Sequence, residues 1–340
     1  MGTGVDLLPA GVATSIGSLP HRDPGEAARF VLERNPELPA APSLPNRSPA
    51  ESMLAQAAWG VSGVIADPDG SIQLTGRSSE VGRSRDPFRL DEEPWVGLRV
   101  FLEQIQGRTE PVKLQLTGPV TFGRALHLAG VDVDRAFAVA GATVRARAAE
   151  LVASARTLVP DAPLLVMLDE PGLVGSAHPR FPIEADQTLD LLSGAVAAIE
   201  STAGTVLTGV HCCAAADWTT VLEAGPDVLA APVDAGLAFV PGAIRSFFDR
   251  GGRIAWGAVP TDEPVGASSE RPWRMLADTW CVLVRAGCDP GRLRRRSLVT
   301  PACGLAGHGL TQADRALRVA VAVGEHIHRQ STIARLTVGA

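Results

Sequence analysis

Apolar residues along the chain gather into short blocks that end in Gly, Pro, Asp or Cys, separated by longer stretches with helical spacing. Eight blocks read as strands: "VATSIGSLP" (12–20), "LPAAPSLP" (38–45), "PVKLQLTGP" (111–119), "APLLVMLDEP" (162–171), "GTVLTGVHCC" (204–213), "DVLAAPVDAG" (227–236), "GRIAWGAVP" (252–260) and "RSLVTPACG" (296–304). Between most of them lie helical patterns such as "DRAFAVAGATVRARAAELVASARTL" (134–158) and "ADQTLDLLSGAVAAIESTA" (185–203). Near-continuous apolar strands alternating with helices mark a parallel sheet covered on both faces. Eight such units in 340 residues predict one domain spanning 1–340, a (β/α)8 TIM barrel of the α/β class. An open doubly wound sheet is the alternative. It usually carries a Gly-rich turn after its first strand, and "IGSLPHRDPG" holds no G-x-G-x-x-G. One segment breaks the alternation. In "WGVSGVIADPDGSIQLTGRSS" (59–79) two short strand-like runs flank "DPDG", which predicts a β-hairpin inserted after the second strand. The polar stretch 78–94 reads as loop.

Composition narrows the function classes. Hydrophobic residues make up 46% of the chain, enough for a sizeable core, and the net charge is −6. The one basic run, "RLRRRS" (292–297), reads as a solvated surface turn, so no nucleic-acid partner is expected. The first residues lack a basic segment followed by a long apolar core, and no apolar run reaches the ~18 residues of a membrane span. The expectation is a cytoplasmic protein that does not enter membranes. There, cysteines stay reduced and read as metal ligands or thiols before they read as disulfides.

In a barrel the loops after the strands build the active site, and polar and soft residues crowd there. Ser18 and His21 follow the first predicted strand, and Thr117 and Gly118 the third. Asp169 and Glu170 follow the fourth, His211, Cys212 and Cys213 the fifth, Asp234 the sixth and Cys303 the eighth. Side chains on a strand alternate, so His211 and Cys213 share one side and Cys212 faces the helical layer. Cys303 ends another strand and can close the group from across the mouth. One imidazole and two thiolates form a zinc set. Cys281 and Cys288 lie on or after a helical pattern and read as core. Ser48 and Glu51 have the spacing of a capping box, a structural role.

These motifs resemble, along nearly the whole chain, the catalytic C-terminal domain of cobalamin-independent methionine synthase. That family sits within the barrel superfamily of uroporphyrinogen decarboxylase and corrinoid-dependent methyltransferases. "TSIGSLP" is similar to the family's first-strand loop, "LTGPVT" to its third and "LDEPGL" to its fourth. "HCC" is similar to its His-x-Cys zinc pair, and "TPACGL" to the setting of its late cysteine. The resemblance implies a barrel, zinc as cofactor, and methyl transfer to a small-molecule thiol such as homocysteine. By position, His211, Cys213 and Cys303 would ligate zinc, Ile16, Gly17 and Ser18 would lie along the substrate amino acid, and Asp169 would take its ammonium group. Glu170 would either join Asp169 at the substrate or brace the turn before Pro171.

The chain departs from the family at three places. The family's fourth zinc ligand, a Glu, falls on Pro232; Asp234, two residues on, faces the same side and is the alternative ligand. No His follows the seventh strand in "IAWGAVPTDEP", and no Trp follows "GPVT". The family's His there protonates the departing folate nitrogen. Its loss favours a methyl donor that needs no proton, either a corrinoid protein or methylcobalamin, over methyltetrahydrofolate. Two other readings remain: a decarboxylase of the uroporphyrinogen type, and a non-catalytic relative that binds zinc or corrinoid.

Overall fold

The computed structural model describes residues 7–67, 70–82 and 88–338. In chain order the elements begin with α1 (Pro24–Arg34), α2 (Met53–Ala58), β1 (Val64–Ala66), β2 (Ile72–Leu74) and α3 (Val96–Gln104). Then come β3 (Val112–Thr117), α4 (Pro119–Leu128), α5 (Val133–Leu158), β4 (Leu164–Asp169), α6 (Ala185–Glu200), β5 (Val206–His211) and α7 (Trp218–Glu223). The series closes with β6 (Val228–Pro232), α8 (Pro241–Asp249), β7 (Arg253–Val259), α9 (Glu270–Arg285), α10 (Pro290–Arg295), β8 (Ser297–Pro301) and α11 (Leu310–Val338).

Strands β3 to β8 form one parallel sheet in sequential order, as the apolar blocks predict. The sheet has two buried faces, which is why its strands read as unbroken apolar runs. Along β4, Leu164, Val166 and Leu168 join the large core under the helices, while Leu165 and Met167 belong to a separate cluster with Val228, Ala230, Ala255 and Leu298. Leu8, Val12 and Leu38 belong to that second cluster too, so the first two apolar blocks pack against the inner face of the sheet.

Those two blocks do not form regular strands. They connect through single parallel bridges: Ala13 with Val299 of β8, Ser18 with Ser43, and Ala40 with Lys113 of β3. The local cause is compositional. The second block carries Pro39, Pro42 and Pro45, which lack the N–H a ladder needs. In the first, Gly17 takes φ +141°, and a Cβ there would lie 2.4 Å from Gln115 Nε2. The chain kinks at that point because only glycine tolerates both the angle and the contact.

β1 and β2 pair antiparallel, Val64 opposite Leu74 and Ala66 opposite Ile72. Residues 68 and 69 of the expected turn lie outside the described residues, as do 83–87 of the polar stretch and the first six residues of the chain. The pair covers a cluster of its own, with Phe122 and Leu126 of α4 and Ala136 and Ala140 of α5. No helix among the described residues is long and apolar enough to cross a membrane.

Candidate functional site

Sheet register sets the site. Thr117, Asp169, His211 and Ala230 stand in one row across the C-terminal ends of β3, β4, β5 and β6. A cavity of about 290 Å³ opens above that row, and Ile16, Ser18, Gln115, Thr117, Asp169, His211, Cys213 and Cys303 all line it.

His211 is buried, and its Nδ1 lies 3.2 Å from the Ala230 carbonyl oxygen. A carbonyl only accepts, so Nδ1 carries the proton and the Nε2 lone pair is left for a ligand. Cys303 lines the cavity beside Cys213 and His211, and each of the two acts on its thiol. The Cys303 neighbour lowers the Cys213 pKa, while Cys213 and burial push that of Cys303 up to about 12. Cys212, next in sequence, is fully buried among apolar side chains, with its Sγ 3.4 Å from the Ala214 carbonyl. Burial drives its pKa up to about 12. The alternation expected of "HCC" thus appears in the fold: His211 and Cys213 reach the cavity and Cys212 turns into the core.

The donor set suits zinc: an imidazole with a free Nε2 and two thiols, one biased toward thiolate. Among the described residues no three His, Cys, Asp or Glu side chains stand at coordinating geometry. Asp234 is exposed in the turn after β6 and does not line the cavity. Pro232 ends β6.

Asp169 presents an enclosed Oδ1 with no hydrogen-bond partner, and burial raises its pKa to about 7 against the opposing pull of Lys113. That Lys is the residue the sequence reading passed over. It is buried on β3, its Nζ 2.5 Å from the Ile16 carbonyl oxygen, and burial lowers its pKa to about 8. The signal was present: one lysine within an apolar strand, in phase with Gln115 and Thr117.

Glu170 does not reach the cavity. Its carboxylate accepts from Val120 N–H at 2.8 Å, Thr121 N–H at 2.6 Å and the Thr121 hydroxyl at 2.5 Å. It ties the first turn of α4 to the end of β4, where the helix dipole favours a negative group. Gly118 is fixed by this contact, because a Cβ there would lie 2.3 Å from the Glu170 carboxylate. Gly118→Ala is expected to destabilise the fold by ~1–3 kcal/mol, the usual cost of overpacking. Chemical denaturation of the variant beside the parent measures it.

Other histidines near the strand ends fall elsewhere. His21 is buried against Phe30, ring centroids 4.7 Å apart, and burial lowers its pKa. His127 Nδ1 lies 3.1 Å from the Val131 carbonyl, and exposed His178 accepts from Arg180 N–H at 3.0 Å. None of the three lines the cavity. Glu51 does line it, and its structural role differs in form from a capping box. Its carboxylate accepts from Leu44 N–H at 2.8 Å and from Arg47 Nε at 2.6 Å. Cys288 is buried as expected; Cys281 is exposed on α9, because the apolar face of that helix runs through Leu276, Trp280 and Leu283 instead.

No known family profile and no curated protein sequence matches the chain. Solved structures do. The B12-independent methionine synthase from Shewanella sp. W3-18-1, in complex with selenomethionine, aligns over 96% of this chain and 99% of its own, with a TM-score of 0.60 and 14% identity. A structure from Listeria monocytogenes, described as a candidate vitamin-B12-independent methionine synthase, aligns over 93% and 97%, with a TM-score of 0.58 and 13% identity. At these identities the likeness is one of fold.

Proposed function

We propose that this chain is a single (β/α)8 barrel over 1–340, with β1 and β2 as an inserted hairpin, and that it transfers a methyl group to the thiol of homocysteine. The observation that carries the reading is the convergence of His211, Cys213 and Cys303 in a cavity that also presents the unpartnered Oδ1 of Asp169. A thiol binder and an ammonium acceptor in one cavity fit an amino acid with a sulfur at its far end. The neighbouring fold, seen elsewhere with selenomethionine, supports the same ligand class.

His211, Cys213 and Cys303 would hold zinc, with the fourth position left to the substrate sulfur. Bound there, the metal would lower the substrate thiol's pKa and keep it as the nucleophilic thiolate. Asp169 takes the ammonium group, and the backbone at Ile16, Gly17 and Ser18 faces the carboxylate. Gly17 lets that backbone approach closely, as the kink at this residue requires. A decarboxylase of the uroporphyrinogen type needs a basic pocket for several carboxylates, and the cavity lining offers none.

The reading is tested by methyl transfer from methylcobalamin to homocysteine, with metal analysis of the same preparation. Turnover with about one zinc per chain is the expected result; no turnover with any thiol would overturn it. Asp169→Asn should raise the KM for homocysteine ~10- to 100-fold, the range for losing a charged hydrogen bond, and leave zinc content unchanged. An unchanged KM removes Asp169 from the substrate site.

A further inference from the structure

The first two apolar blocks carry the backbone assigned to the substrate's carboxylate, yet they lack a regular ladder. Backbone bonds fix most of the first block: Ser43 N–H donates to Gly17 O at 3.2 Å and Leu305 N–H to Ser18 O at 2.9 Å. Thr14 N–H donates to Val299 O at 3.0 Å, and Leu19 N–H donates to Ser43 O at 3.0 Å. Between these points the Ile16 carbonyl is taken by Lys113 Nζ at 2.5 Å. The second block shows a similar substitution. Lys113 N–H donates to Pro39 O at 2.9 Å and Ala41 N–H to Lys113 O at 2.8 Å, which is the parallel ladder pattern. Its next step would set the Gln115 backbone N–H on the Ala41 carbonyl. The Gln115 side chain takes that acceptor, with Nε2 at 2.6 Å. Gln115 Oε1 in turn lies 3.4 Å from Lys113 Nζ, and its amide fills the space where a Gly17 Cβ would be.

We infer that Lys113 and Gln115 are positioning residues that replace missing sheet hydrogen bonds and hold Ile16–Gly17–Ser18 in the shape that receives the amino-acid end of the acceptor. The inference rests on the proposed substrate class. Lys113 does not line the cavity, so it acts through the Ile16 carbonyl rather than by touching the substrate. A buried ammonium is costly unless its donors are used. This one is spent on a backbone carbonyl and a side-chain amide directly beneath the site.

The test compares the parent chain with Lys113→Met, which keeps length and removes the donors, and with Gln115→Met. Amide exchange at Gly17, Ser18 and Leu19 should accelerate in both variants while β4 to β7 stay protected. With methylcobalamin as donor, the KM for homocysteine should rise ~10- to 100-fold. The kcat/KM for 2-mercaptoethanol, which has no amino-acid end, should change less than about twofold, and zinc content should hold. Unchanged exchange at 17–19, or equal losses with both thiols, would overturn the inference. A parent that methylates no thiol sinks the proposed function, and the exchange measurement then still decides whether these side chains position the loop. Should Lys113→Met fail to fold, Gln115→Met carries the comparison through amide exchange at 17–19, because Gln115 also lines the cavity and its KM alone would not separate positioning from contact.

Discussion

Cys213→Ser and Cys303→Ser are each expected to lose most of the bound zinc and with it most methyl transfer, whereas Cys212→Ser keeps both. The apparent zinc affinity of a four-ligand protein site is ~10–16 kcal/mol. One ligand is thus worth ~3 kcal/mol, roughly a hundredfold in affinity. The structure separates the three thiols sharply. Cys213 and Cys303 both line the cavity, where the Cys213 pKa is lowered and that of Cys303 raised. Cys212 is sealed in the apolar core, where burial keeps its thiol protonated. Metal analysis of the three purified variants reads the difference directly. Equal zinc loss in all three would mean that adjacency in sequence, not strand alternation, governs the site.

That contrast was legible in the sequence because it depends only on a period of two along one strand. The row of Thr117, Asp169 and His211 was legible for the same reason: each ends an apolar run that can only be a buried parallel strand. The first two blocks were not. Their apolar pattern predicts strands, but Pro39, Pro42, Pro45 and the kink at Gly17 deny them a ladder, and what replaces it is a pair of side chains from β3. No local pattern encodes that replacement, because it depends on which strand lies alongside. Glu170 illustrates the same limit. Its neighbour Asp169 faces the cavity, and alternation alone turns Glu170 away. Its partners, the first N–H groups of α4, lie about fifty residues earlier in the chain. Cys281 was misplaced for a simpler reason: the spacing of Leu276, Trp280 and Leu283 rotates the buried stripe of α9 past it.

Methylcobalamin, or a methylated corrinoid protein, is expected to outpace methyltetrahydrofolate as donor by ~10²–10⁴, the usual worth of general acid catalysis. Breaking a methyl–nitrogen bond requires a proton on the departing amine; breaking a methyl–cobalt bond does not. The segment after β7 adds nothing to the cavity lining: Asp262 and Glu263 are exposed, Glu263 is engaged by Arg271 at 2.7 Å, and no histidine lies between Pro260 and Pro264. His21, His127 and His178 all sit outside the cavity lining, each with a packing or hydrogen-bond role of its own. Of the two carboxyl groups that burial raises to about 7, Glu170 is filled by the first turn of α4 and Asp169 is reserved for the substrate ammonium. The measurement is methionine formation from homocysteine at matched donor concentrations. If methylfolate proves the better donor, the corrinoid assignment falls. Asp169 then becomes the acid to test, since burial raises its pKa to about 7 and its Oδ1 has no partner. Asp169→Asn would in that case lower kcat with folate and spare turnover with methylcobalamin, an outcome opposite to the rise in KM expected of an ammonium-binding residue.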